Sequence, residues 1–178
     1  MMHRRNLLAA SAALLPWPAL AHGPSRQKVT EKVDINTSSD KVWAVIGNFQ
    51  DMSWHPAVSK TEGSDGNIPD KAVRKLTLQG GGVLEEMLVK YSTEDRSYGY
   101  RIENVDVKVL PVNNYSSQIS VSDAGGGKSS VEWRGAFYRG YPNNDPPPEL
   151  SDEAAIKAVS GIYRAGLDAL KKKLEQGS

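Results

Sequence analysis

The sequence predicts an α+β domain: a curved, mostly antiparallel β-sheet of about six or seven strands wrapped around a long C-terminal helix. Three observations carry that expectation. A capped amphipathic helix stands early in the chain, within TSSDKVWAVIGNFQDMSWHP at residues 37–56. About six strand patterns follow with no second helix among them. A long apolar stripe then runs down the last segment. Strands in series with helices at the two ends are an α+β layout. The stripe of the last helix must be buried, and the concave face of a curved sheet is the surface on offer.

Taken in order, Lys28–Ile35 alternates, with Val29, Val33 and Ile35 on one face, and reads as a strand. Thr37 with Asp40 three residues on fits a capping box, and Val42, Val45, Ile46 and Phe49 recur at helical spacing. The expected helix is therefore Thr37–Phe49. Pro56 blocks a continuing helix and pushes His55 towards an extended backbone. Asp51–Trp54 reads as a short turn, Val58–Ser64 as a weaker strand and Gly63–Asp70 as a polar connection. Lys71–Leu78 and Val83–Tyr91 flank Gly80-Gly81-Gly82, a hairpin signal. Ser97–Glu103 alternates through Tyr98, Tyr100 and Ile102, and Asn114–Val121 follows Pro111, which marks a strand start or a bulge. Gly125-Gly126-Gly127 turns the chain into Lys128–Tyr138, the last strand. Gly140–Leu150 holds three consecutive prolines and reads as a stiff extended loop. Ser151 or Asp152 then caps the last helix, whose stripe is Ile156, Val159, Tyr163, Gly166, Leu167, Leu170 and Leu174.

Residues 1–21 read as a cleaved export signal: Arg4 and Arg5, an apolar run from Leu7 to Leu15, then Ala19-Leu20-Ala21. The apolar run is short of the roughly 20 residues that span a bilayer. Arg4-Arg5-Asn6-Leu7-Leu8 also resembles a twin-arginine signal, so the Sec and twin-arginine routes both stand. Cleavage after Ala21 leaves 157 of the 178 residues, one domain at 22–178 and a periplasmic protein. That size supports a core without staples, and the chain has no cysteine. Losing Arg4 and Arg5 leaves 20 basic against 21 acidic residues, a net charge of −1. Such a surface excludes nucleic acid as the expected partner, and no second apolar run is long enough to span a membrane.

An ordered set of residues carries a family resemblance. It comprises Val42-Trp43, Trp54-His55-Pro56, Arg74, Glu86-x-Leu88, Tyr98-x-Tyr100-x-Ile102, Pro111-Val112 with Tyr115, and Val131-Glu132-Trp133 before Phe137. The chain resembles the START-like, helix-grip proteins of the polyketide cyclase/dehydrase and lipid transport superfamily, also called SRPBCC. A narrower likeness rests on HGPSRQKV, IGNFQDMSWHPAV and FYRGYPNNDPPPELSDEAA. These segments resemble the MxaD-type periplasmic proteins of bacterial methanol oxidation. That resemblance implies a non-enzymatic accessory role, promoting the interaction of methanol dehydrogenase with its cytochrome c acceptor.

Arg74 and Glu86 both fall on the apolar faces of their strands. A hairpin turning through Gln79–Gly81 sets them opposite one another, and charges facing a core are costly unless paired. Two readings stand: a polar anchor inside a ligand cavity, where the resemblance also places them, or a salt bridge that only fixes register. Trp54, Tyr100, Tyr115 and Trp133 are the aromatic candidates for the same cavity, against the alternative of plain core. An apolar small molecule is the ligand class such a cavity suits.

Tyr138–Glu153 is the candidate partner segment, with Tyr138, Tyr141, Asp145 and Glu149 as its contact residues. A stiff loop loses little entropy on docking. Its 11 residues from Gly140 to Leu150 exceed the usual connection of roughly 4–6. The alternative is a linker from the last strand to the last helix.

No enzyme motif appears. There is no cysteine and no Gly-x-Ser-x-Gly elbow, and Glu85 and Glu86 point to opposite faces of a strand. Gly80–Gly82 lacks the helix and lysine of a phosphate loop. An N-terminal His22 can bind copper through its amine and ring with His55 as the sole second histidine, against the alternatives of a loose start and a ring packed in the Trp-Pro corner, and two histidines are too few to assign a site. The expectation is no catalytic residue, no cofactor and no metal. The rivals are an apolar-ligand carrier and a cyclase-like enzyme using Glu86 as acid or base, which requires that carboxyl to be accessible.

Overall fold

The structure, a computed structural model, describes residues 23–176. Residues 1–21, read above as an export signal, and His22 lie outside the described residues. Seven strands form one antiparallel sheet: β1 (Gln27–Ile35), β2 (Val58–Ser64), β3 (Val73–Leu78), β4 (Val83–Ser92), β5 (Ser97–Val105), β6 (Val112–Gly125) and β7 (Lys128–Arg139). Their spatial order is β1-β7-β6-β5-β4-β3-β2. Helix α1 (Ser39–Ile46) joins β1 to β2, and α2 (Asp152–Gln176) follows β7. The expected layout of a curved antiparallel sheet gripping a long C-terminal helix is therefore the observed one.

Only β1 departs from its neighbour in sequence: α1 carries the chain across, so β1 pairs with the last strand. From β2 onward each strand pairs with the next, because short turns join them. Gly81 (φ 82°) makes the β3–β4 turn, with Gly81 N–H donating to the Leu78 carbonyl at 2.9 Å. Gly125, Gly126 and Gly127 all have positive φ in the β6–β7 turn, a backbone that glycine adopts without a Cβ penalty.

Several boundaries differ from the sequence expectation. Ser38, not Thr37, caps α1; its hydroxyl accepts from Lys41 N–H at 3.4 Å. The helix stops at Ile46 because Gly47 takes over the C-cap, its N–H bonding the Trp43 carbonyl at 2.7 Å. Phe49 still packs in the core, but from a turn whose N–H is held by the Asn67 side chain at 2.8 Å. β3 starts at Val73 rather than Lys71, and β5 and β6 run longer than expected. Pro111 does mark a strand start, and Asn114 (φ 47°) sits in an irregularity between Asn113 and Ser116. Ser151 caps α2 by accepting from Ala154 N–H at 3.1 Å.

Helix α2 lies mainly across β1 and β7. Val159, Tyr163, Gly166, Leu167 and Leu170 of its stripe are buried, together with Ala155, while Ile156 and Leu174 are half-buried. The stripe meets Val29, Trp133, Phe137 and the tyrosines of β5 and β6 in one core.

Candidate functional site

The site begins with a register. β3 and β4 pair so that Arg74 faces Glu86, as the Gln79–Gly81 turn requires. Arg74 is 2% and Glu86 5% exposed. Arg74 Nε donates to Glu86 Oε2 at 2.6 Å, and a terminal nitrogen donates to the Phe49 carbonyl at 2.8 Å. The guanidinium carbon lies 4.1 Å from the Phe49 ring centre, 5.0 Å from Tyr100 and 6.0 Å from Tyr98. Burial works against its charge, but Glu86, with Tyr98 and Tyr100, more than restores it, so the pKa of Arg74 is raised overall. Arg74 is a cation enclosed by its own fold.

Beside this pair lies a cavity of about 50 Å³, walled mainly by apolar side chains of β3–β5, α2 and the Met52–Val58 corner. Of the residues singled out from sequence, Glu86, Tyr100, Tyr115 and Trp133 line it. Arg74 and Trp54 do not. Arg74 stands behind Glu86, and Trp54 packs 5.7 Å from both His55 and Trp133.

Two lining residues escaped the sequence reading: His55 as a polar wall and Tyr163 as a hydroxyl. Tyr163 was legible only as part of the helical stripe. Its partners sit 46 and 48 positions away, which no local pattern encodes. Its ring stacks on Trp133 at 4.4 Å. Its hydroxyl bonds that of Tyr115 and lies 2.8 Å from Ser117 Oγ. Trp133 Nε1–H reaches Ser117 Oγ at 3.0 Å and the Tyr100 hydroxyl at 3.1 Å. Burial pushes the pKa of all three phenols up, well up for Tyr100 and Tyr115. They are neutral hydrogen-bonding groups at any ordinary pH.

His55 is 2% exposed and fully engaged. Its Nδ1 accepts from Ala57 N–H at 3.1 Å, which leaves Nε2–H to donate to the Ile162 carbonyl at 3.0 Å. Both nitrogens are thus used within the fold. Burial lowers its pKa, the Ile162 bond opposes that, and Arg74 adds to the lowering. The folded chain therefore prefers the neutral ring. Stability is complete above the ordinary value of 6.5 and falls as pH drops below it. Urea unfolding is expected to give a lower midpoint at pH 5.5 than at 7.5, with the difference much reduced in His55→Gln. An equal drop in the variant would assign the effect to carboxylates instead.

The expected partner segment is a braced loop. Arg139, 7% exposed, donates to the Tyr141 carbonyl at 2.9 Å, the Asn143 carbonyl at 2.7 Å and Asp152 Oδ2 at 3.2 Å. Asn113 adds a bond to the Gly140 carbonyl at 2.8 Å. Asp145 and Glu149 stand exposed on the loop, and Tyr141 is half-buried. Tyr138 is half-buried on β7, with the Arg26 guanidinium 5.8 Å from its ring centre.

Residues 26–175 match the polyketide cyclase / dehydrase and lipid transport family. The chain belongs to that family. Its members share the helix-grip architecture, and the similar solved structures agree with it. One is the protein XoxI from Bacillus cereus: 32% identical, TM-score 0.71, with 83% of this chain and 95% of that one covered. Another is an uncharacterised protein from Bacillus thuringiensis, also 32% identical at TM-score 0.71, covering 84% and 99%. Norcoclaurine synthase from Thalictrum flavum, solved with dopamine and hydroxybenzaldehyde, is 14% identical at TM-score 0.66, covering 96% and 99%. That likeness concerns the fold alone. No curated protein matches the chain. Among the described residues no helix is long and apolar enough to cross a membrane, and no cluster of three or more His, Asp or Glu could hold a metal ion.

Proposed function

We propose that this family member is an exported, periplasmic, non-enzymatic accessory protein of methanol oxidation, promoting the interaction of methanol dehydrogenase with its cytochrome c acceptor. The observation that best supports a docking role is the Arg139 brace. It holds an acidic, proline-stiffened loop in one shape before any partner arrives. The likeness of IGNFQDMSWHPAV and FYRGYPNNDPPPELSDEAA to MxaD-type proteins supplies the identity of the partners. The role asks nothing of a cofactor.

The rivals have less to rest on. A carrier of large apolar molecules needs a pocket of roughly 300 Å³ or more, against the cavity of about 50 Å³. A cyclase-like enzyme needs Glu86 as a free acid or base, whereas Arg74 already holds one of its oxygens.

The test is methanol dehydrogenase turnover with and without the purified chain. The cytochrome-linked rate is expected to rise, while the rate with an artificial dye acceptor stays the same. No change in either rate would sink the proposal. Arg139→Gln removes the brace without touching the exposed side chains. It is expected to raise the concentration giving half-maximal stimulation roughly tenfold, as the partner now has to order the loop. An unchanged concentration dependence would move the docking surface elsewhere.

A further inference from the structure

The outer face of the sheet, turned away from α2, carries a trough of about 510 Å³. Strand register builds it. Lys28, Ala136 and Ser116 stand side by side on β1, β7 and β6. In the next row Thr30, Arg134, Gln118, Gly99 and Lys90 cross from β1 to β4. These positions alternate with the buried Val29, Trp133, Phe137, Ser117 and Tyr98, and so face solvent. Gly99 has no side chain, and with the short Ala136 and Ser116 it leaves the floor low between longer walls.

The trough is basic. Lys28, Lys90 and Arg134 line it, and no carboxylate does. Arg26 adds a fourth cation: its guanidinium donates to Ser116 Oγ at 3.2 Å and lies over the Tyr138 ring. Arg26, Lys28 and Lys90 have no ion-pair partner among the described residues. Arg134 donates to Gln118 Oε1 at 2.5 Å, and its one carboxylate neighbour among the described residues, Glu132, is 4.0 Å away. The nearby Arg101, by contrast, is already paired with Glu103. Cations gathered in this way repel one another. Residues 22–178 are net −1, so the overall charge does not account for a local excess of the opposite sign.

We infer that this trough is the docking surface for an extended, acidic segment of a partner polypeptide, laid across the strands. Charge selects the sign, as each carboxylate that settles there relieves the repulsion among cations the sheet holds together. Length fits as well. From β1 to β4 is four strand spacings, roughly 19 Å, the reach of about six extended residues. Alternate residues of such a segment project to one side roughly 7 Å apart, so acids at every second position meet Lys28, Arg134 and Lys90 in turn. Thr30, Ser116 and Gln118 offer hydrogen-bonding side chains to its backbone. A flat anionic bilayer would touch only the rims of a trough and leave the floor unmet. An exposed ion pair is worth little singly, so the segment must engage several cations at once. Neither methanol dehydrogenase nor the Arg139-braced loop enters into this binding, which stands or fails apart from them.

The probe is an end-capped octapeptide of alternating Glu and Ser, titrated into the nitrogen-15-labelled chain. A Gln–Ser octapeptide, citrate and phosphatidylglycerol vesicles are the comparisons. The acidic peptide is expected to give saturable shifts of the Thr30, Gly99, Ser116 and Gln118 backbone amides, with a dissociation constant on the order of 0.1 mM in about 0.02 M salt. Raising the salt to about 0.3 M is expected to weaken it about tenfold, since the charges are exposed. The Gln–Ser peptide is expected to give no saturable shift, and citrate, which spans only part of the trough, to bind about tenfold more weakly. Lys28→Gln/Lys90→Gln changes two exposed side chains and is expected to weaken the acidic peptide about tenfold. An added Cβ at Gly99 meets only the Ser117 carbonyl at 3.5 Å and Lys90 Cβ at 3.8 Å, so Gly99→Glu is accommodated. Its carboxylate takes the place of the peptide's and is expected to abolish binding. An equal response to both peptides, citrate as tight as the acidic peptide, vesicle binding without peptide binding, or unchanged affinity in both variants would each overturn the inference. Broadening of the same amides that grows with protein concentration alone would make a second copy of the chain the occupant, and would overturn it too.

Discussion

Arg74→Met is expected to destabilise the fold by about 3–5 kcal/mol, because it strands the Glu86 carboxylate in the core without its cation. Arg74 Nε holds that carboxylate at 2.6 Å, and both side chains are withdrawn from water. In a domain of this size the loss corresponds to a fall in melting temperature of roughly 6–20 °C. The guanidinium also bonds the Phe49 carbonyl and lies against three aromatic rings, so the variant loses packing as well as charge. Glu86→Gln should cost less, since a carboxamide oxygen still accepts from Nε and the cation keeps its aromatic faces. The double variant Arg74→Met/Glu86→Leu is expected to recover most of the loss, because an apolar pair of similar volume removes the stranded charge. Urea unfolding of the four proteins measures the cycle. A single Arg74→Met within about 1 kcal/mol of the parent would contradict the burial of the pair.

The energetics of this pair explain why it was legible in the sequence. Two charged residues on the apolar faces of adjacent strands across a Gly-Gly-Gly turn have few places to go except to each other. Register then follows from alternation and turn length, both local properties. The same logic makes the strand order readable: from β2 to β7 each neighbour in space is a neighbour in sequence. The β1–β7 pairing was not readable in this way, since strands about 100 residues apart leave no local signature.

The cavity was less legible than the ion pair. Alternation placed Tyr100, Tyr115 and Trp133 on the inner face, but it cannot say which inner residues touch a void and which fill the core. Trp54 shows the difference: buried like the others, it packs away from the cavity against His55 and Trp133. Arg139 was missed for a related reason. At the end of a strand it looks like a solvated charge, and its importance lies in three contacts around the following loop. Helix ends moved by a few residues because Gly47 and Ser38 compete with the capping box. Local side-chain bonds of similar strength decide such contests.

Gly166→Ala and Gly161→Ala are expected to change stability in opposite directions, although both replace glycine by the best helix former in the same helix. At Gly161 an added Cβ meets nothing within 4 Å. The substitution should stabilise by about 1 kcal/mol, through the unfolded chain's lost freedom and the helix preference of alanine. At Gly166 the Cβ would stand 2.5 Å from His55 Cδ2, 2.8 Å from His55 Nε2 and 3.0 Å from Trp133 Cζ3. Neither ring can yield cheaply. His55 is tied to Ala57 and Ile162, and Trp133 is stacked on Tyr163. Overpacking of this kind costs about 1–3 kcal/mol and outweighs the helix gain. To relieve the clash, α2 has to lift from the Trp-His-Pro corner, which would lengthen the His55–Ile162 bond and loosen the stack under the cavity. Paired thermal unfolding of the two variants reads the difference, with the Trp133 indole resonance as a local check. If Gly166→Ala proves as stabilising as Gly161→Ala, the helix does not rest on His55 as closely as the geometry requires, and the glycine is there for some reason other than the ring it admits.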